Sequence, residues 1–178
     1  VVMLPGFMII QPNNSRALTF FGRYAGTVIS NGFYWVNPLF LKSTVTLRIL
    51  NLNIDPIKVN DKVGNPIMIG AVVVWRIKDT YKASFDISGN IREFVQIQSD
   101  AALRQVAGMY AYDTNETIDK VTLRSDESGE ITQRLEDELN SRLAIAGIEI
   151  VEARINYLAY ASEIASVMLR RQQADAII

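Results

Sequence analysis

Residues 67–77, IMIGAVVVWRI, set Ile67, Ile69, Val73 and Trp75 on one side of an extended chain and Met68, Val72 and Val74 on the other. Side chains of a strand alternate sides every residue, so a run that is apolar on both sides suits a strand flanked by neighbours in the interior of a sheet. That one strand commits the chain to a sheet-based fold, and the rest of the sequence has to supply its partners and its cover.

The partners are sought first upstream. GFMIIQ is a short apolar run closed by the turn cluster Pro12-Asn13-Asn14, and RALTFFG behind it is expected to pair back on it. TVISNGFYWV holds Asn31-Gly32 between two β-favouring runs, the pattern of a two-residue hairpin. In STVTLRILNLNI, Val45, Leu47 and Ile49 alternate with polar residues, then the phase slips and Leu50, Leu52 and Ile54 continue. One extra residue at Ile49–Leu50 is read as a β-bulge. DKVGNP, residues 61–66, is a turn.

Beyond residue 77 the period changes. Lys78–Asp86 reads as a short helix, and Ile91–Tyr110 as a longer one with Ile91, Val95, Ala102, Val106 and Met109 along one face. Ile131, Leu135, Leu139 and Leu143, four apart, form a buried stripe over Gly129–Ala146, with Gly147 as its C′ residue. IEIVEARINYL returns to alternation, with Val151, Ala153, Ile155 and Tyr157 on one side, and is expected to rejoin the sheet. A last helix starts at Ser162, read as its N-cap, and meets no Gly or Pro before Ile178. The fold class is therefore α+β: a twisted, mainly antiparallel sheet with helices packed against it.

Composition narrows the chemistry. The chain has no Cys and no His, which removes disulfides, thiolate metal sites, His-dependent triads and the usual neutral-pH acid/base group. No phosphate-binding glycine loop, nucleophile elbow or calcium loop is present. Two glycosylation-type triplets, at Asn13 and Asn115, are read as turn chemistry. Glu136-Asp137-Glu138 fans around a helix and is read as a solvated face. A Ser–Lys dyad is the remaining nucleophilic arrangement, and no spacing singles one out. The net charge of −1 divides into +6 over residues 1–82 and −7 over residues 83–178. Such an asymmetry suits a molecule oriented with its basic part toward an anionic surface, and equally strands that received Lys and helices that received Glu. The aromatic set Tyr24, Phe33, Tyr34, Trp35 and Trp75 is assigned to the core, and no nucleic-acid partner is expected.

Four stretches in order carry a family resemblance. GRYAGTVISNGFYWVNPLF leads from a glycine turn through an aromatic strand to a proline. VNDKVGNPIMIGAVVVWRIKDTYKASFDI forms a central hairpin ending in Trp75-Arg76-Ile77-Lys78-Asp79. SDAALRQVAGMYAYD has the Ala-Leu-Arg helix, and AGIEIVEARINYLAYASEIASVMLRRQQADA the closing strand and helix start. Together they resemble the SPFH or band 7 family of stomatin, prohibitin and flotillin, with prokaryotic stomatin-like members the most similar. Ser162 departs from the proline that relatives often carry there.

The resemblance implies a domain over residues 1–160 and, over 161–178, the start of a helix that continues as a coiled coil assembling many copies on a membrane. It implies membrane segments upstream and a prokaryotic cell-membrane location. Ile164, Arg171 and Ile178 fall seven apart with Val167 and Ala174 between them, a candidate oligomerisation seam in which Arg171 is the poor member. Leu4, Phe7, Met8, Phe40 and Leu41, beside turn formers, are candidate membrane-proximal residues, with ordinary core the other reading. The expected function is a non-catalytic scaffold that organises membrane lipid and holds integral-membrane partners such as proteases, with no cofactor. The alternatives are a membrane-associated peptidase and a soluble lipid- or peptide-binding module.

Overall fold

The structure is a computed structural model that describes residues 6–113, 122–124 and 129–175. The apolar run is β7 (Pro66–Ile77), and it lies between β6 (Leu50–Asn60) and β8 (Ile148–Tyr160), antiparallel to both. Ile67, Ile69, Ala71, Val73, Trp75 and Ile77 all point into the main core. Two helices close that face, α2 (Ile91–Ala107) and α3 (Glu130–Leu143). Each contributes its expected stripe: Val95, Ala102 and Val106 from α2 and Ile131, Leu135, Leu139 and Leu143 from α3 are buried. Leu103 joins them, whereas Met109 lies beyond the end of α2 and is exposed. On the other side of β7, Met68, Val72 and Val74 are half-buried.

The remaining strands make two small sheets. β1 (Phe7–Ile10) pairs with β4 (Gly32–Trp35), and β2 (Asn14–Phe20) lies between β3 (Arg23–Val28) and β5 (Phe40–Thr46). The expected pairing of the first two runs is absent. After Asn13, at φ 58°, the chain folds β1 over the face of the second sheet, where Met8, Ile10 and Leu18 form a separate small core. Asn31-Gly32 makes no hairpin either. A two-residue turn of the usual type needs positive φ at both residues, and here Gly32 has it while Asn31 does not. The tight turn is instead Phe21-Gly22, at φ 46° and 79°, between β2 and β3.

The phase slip near Ile49 is also not a bulge. Residues 47–49 are where the chain leaves one sheet and enters another, and the slip lets Val45 and Leu50 both reach the main core. The bulge in β6 lies between Ile54 and Ile57, at Pro56, which has no N–H to give an edge ladder. β8 has two shifts, opposite Gly70/Ala71 and Val74/Trp75. They leave Val151 and Asn156 as the extra residues, so Ile148, Ile150 and Ala153 are buried and Val151 is exposed, contrary to plain alternation.

Two ends of β7 fix the long axis. At Ile77, α1 (Thr80–Phe85) follows, capped by Asp79, whose carboxylate accepts from Tyr81 N and Lys82 N. α1 joins the small sheets: Thr80 Oγ1 donates to Thr27 Oγ1 at 3.0 Å, and the Tyr24 ring meets Tyr81 and Phe85. At the other end Ile67 pairs with Tyr160, Ala161 N bonds Pro66 O, and α4 (Ser162–Asp175) begins. At about 3.3 Å per residue these ends are some 35 Å apart. The first helical bonds of α4 go to Ala161 O, so Ala161 occupies the cap position and Ser162 the first turn. Gly147 follows the short 3₁₀ turn after α3 at φ 66°, as expected of a C′ residue.

Candidate membrane-facing and assembly surfaces

The β1–β4 ribbon is apolar on both sides and can bury only one. Met8 and Ile10 face the small core, backed by Tyr34. Phe7, Ile9, Phe33 and Trp35 face outward, with Ile9 and Phe33 each 66% exposed and the Phe7 and Phe33 rings stacked at 5.1 Å. A second apolar group gathers where β2 ends and β5 begins. Phe20 pairs in register with Phe40, their rings 5.0 Å apart; Phe21 meets Phe20 edge-on at 4.7 Å; Leu39 and Leu41 are exposed beside them. No Asp or Glu occurs before Asp55, while Arg16, Arg23, Lys42 and Arg48 do. The five strands β1–β5 therefore carry cations and no acid of their own.

The membrane-proximal candidates are placed unequally. Phe7 and Leu41 are exposed, and Phe40 is half-buried over Leu18. Met8 is buried, because a strand alternates sides and its neighbours Phe7 and Ile9 take the outer one. It is withdrawn from the lipid-facing set. Leu4 lies outside the described residues. Ile9, Phe20, Phe21 and Leu39 were not singled out in the sequence, and of the aromatic set assigned to the core Trp75 is buried whereas Tyr24, Phe33 and Trp35 are exposed; the available signal was that FMII and FYW are apolar on both sides of strands too short to be covered twice.

α4 carries the candidate seam. Ile164 is half-buried and Val167 is 63% exposed; Arg171 and Ala174 fall within the helix, and Ile178 lies outside the described residues. Glu163 in the first turn of α4 is tied to the body by Lys58, whose Nζ donates to both of its carboxylate oxygens at 2.5 and 2.7 Å.

The acidic groups of the helical half are engaged in structure. Glu136 accepts from Ala153 N and the neighbouring Asn140 from Ile150 N, so α3 satisfies edge N–H groups of the bulged strand β8. Asp137 accepts from Gln133 and Glu138 pairs with Arg142, so the three consecutive carboxylates point to three different partners. Glu136 is thus a structural acceptor and not part of a solvated face. Asp61 is buried and accepts from Val63 N, Asn65 N, Asn65 Nδ2 and Tyr112 N, which occupies both oxygens. Burial raises the Asp100 carboxyl above its ordinary range, with Arg104 opposing and Asp55 assisting. Hydrogen bonds from Lys78 and then Arg76 hold Glu149 below its ordinary range. A depression of about 800 Å³ beside β8 is lined, among the described residues, by Tyr112, Arg124, Thr132, Arg154 and Tyr157 with others. Among the described residues no group of three or more Asp or Glu could hold a metal ion, and no helix is long and apolar enough to cross a membrane.

A family model, that of the SPFH domain / Band 7 family, matches residues 8–178. The chain belongs to the SPFH domain / Band 7 family. No curated protein matches the chain significantly. SPFH proteins are generally membrane-associated and generally non-catalytic. In this SPFH domain the match runs from inside β1 through α4, so it takes in both the cationic strand lobe and the projecting helix.

Proposed function

We propose that this SPFH domain serves as a non-catalytic scaffold on a prokaryotic cell membrane. Copies assemble through the continuation of α4 and together hold or regulate integral-membrane partners, proteases among them. The observation that carries this reading is the polarity of the molecule. An acid-free lobe with exposed aromatic and aliphatic side chains stands at one end of β7, and α4 starts at the other. Apolar surface flanked by cations suits an anionic bilayer, while a helix leaving the far end is free to meet its copies. Phe7 and Leu41 are the lipid-facing members of the original set, and Ile164, Val167, Arg171, Ala174 and Ile178 the proposed seam. The peptidase alternative needs an activated nucleophile, and no observation among the described residues favours it.

The test is sedimentation with neutral and anionic vesicles at low and physiological salt. The protein is expected to bind anionic vesicles, more strongly at low salt. Phe7→Ser with Leu41→Ser should weaken binding, and Glu93→Gln with Asp137→Asn in the helical half should leave it intact. No binding to any vesicle, or loss on the helical-half changes alone, contradicts the proposed orientation.

A further inference from the structure

Phe21 occupies a position that its side chain does not favour. Among the described residues it is one of two non-glycines at positive φ, at 46°, and with Gly22 at 79° it forms a turn whose first position suits Asn, Asp or Gly. A bulky residue there is strained, and strain of this kind is normally offset by packing. Here it is not: Phe21 is 79% exposed, and its ring contact is with Phe20, itself 37% exposed. Local conflict between residue and conformation, without compensation inside the fold, points to a use outside it.

The surroundings identify the occupant. Phe20, Leu39 and Leu41 stand beside Phe21 at the same end of the sheet, at 37%, 60% and 70% exposure. The group stands at the end of the β2–β3 hairpin, where exposed apolar side chains beside an exposed cation suit an interfacial lipid layer. Arg23 faces Phe20 across the turn and is exposed, whereas Lys42 pairs with buried Leu18 two residues further from the tip and is half-buried. Phe21 stands at the tip, Arg23 belongs to the first strand pair behind it, and no Asp or Glu occurs in β1–β5. An anionic bilayer presents the matching order in depth, with phosphates outside and apolar chains within.

We propose that the Phe20–Arg23 turn is a wedge for an anionic lipid surface. Phe21, with Phe20, Leu39 and Leu41, enters the interfacial layer, and Arg23 meets lipid phosphates at its rim. The proposal rests on the membrane-associated reading above and goes further, in naming the inserting element and the headgroup chemistry.

The test compares the whole chain with Phe21→Asn and Arg23→Gln, using vesicles of neutral phosphatidylcholine with and without anionic phosphatidylglycerol. Asn is at ease at positive φ, so Phe21→Asn should melt at the same temperature or higher. Its partitioning onto anionic vesicles should fall about tenfold, the order expected for losing one inserted aromatic. Arg23→Gln should weaken binding to anionic vesicles, flatten its salt dependence and leave binding to neutral vesicles unchanged. Wild-type binding that Phe21→Asn leaves unaltered overturns the wedge while the membrane reading stands. Wild-type protein that binds no vesicle overturns both. A clear drop in melting temperature for Phe21→Asn makes Phe21 a packing residue and also overturns the proposal, as does equal wild-type binding to neutral and anionic vesicles.

Discussion

Gly147 and Gly22 both sit at positive φ, yet they are not equivalent. A Cβ on Gly147 would lie 2.6 Å from Asp79 O, whose backbone N–H, with that of Lys78, bonds Gly147 O at 2.9 Å. A Cβ on Gly22 meets nothing within 4 Å. Gly147→Ala should therefore lower unfolding stability by about 2 kcal/mol or more, and Gly22→Ala by about 1, as read from urea midpoints. Charge at single residues also sets the pH response. Glu149 is held low by Lys78 and Arg76, so its contribution is present above its ordinary value of 4.5 and is lost as pH falls through the lower folded value. Glu149→Gln should flatten the acid limb of the stability profile. Asp100 is the opposite case: raised by burial, it favours the protonated native state, so its penalty grows as pH rises through the window above 3.8. Asp100→Asn should raise the melting temperature at pH 7, and the gain should vanish below pH 3.8.

At the scale of elements, α3 does two jobs with two faces. Its stripe of Ile131, Leu135, Leu139 and Leu143 is at most 1% exposed, and Leu139→Ala should cost about 2–5 kcal/mol by leaving a cavity. On its flank, Glu136 holds Ala153 N at 3.1 Å, and Glu136→Ala should cost about 1–3 kcal/mol, the cost of stranding a part-buried donor. Val167→Ala on the projecting α4 should stay within about 0.5 kcal/mol. Denaturant titrations rank all three. The α3 stripe was legible in the sequence because a helix repeats its own spacing and needs no partner to define it. The Glu136 bond was not, because the acceptor's partner is seventeen residues away on a bulged strand. The strand pairings of the small sheets were misread for a related reason. Asn31-Gly32 has the residues of a hairpin turn, but Phe21-Gly22 has the conformation, and only the assembled lobe selects between them.

For the whole molecule, the proposed assembly depends on the length of α4. Residues 163–178 offer just over two heptads, fewer than the three or four from which a stable coiled coil is usually read, and Arg171 interrupts the apolar seam. Residues 1–178 are therefore expected to be a monomer or weak oligomer by light scattering, and a form with the helix extended past Ile178 should assemble. Val167→Asp in the extended form should break that assembly if the seam is right. A large, tight ring of residues 1–178 would place the contacts in the body instead.

Some of this was written in the chain itself. The interior strand 67–77 and the buried stripe of α3 were readable from residue order alone, and both are present in three dimensions. FMII and FYW are apolar at every position, which does not tell which side of β1 and β4 is open. That was decided by tertiary structure. Folding β1 over the second sheet turned Met8 inward and Phe7 and Ile9 outward, and the left-handed Phe21 was set at the tip by the register between β2 and β3. A sequence constrains contacts between neighbours three or four residues apart, whereas the exposed face of a ribbon depends on which distant surface covers the other one.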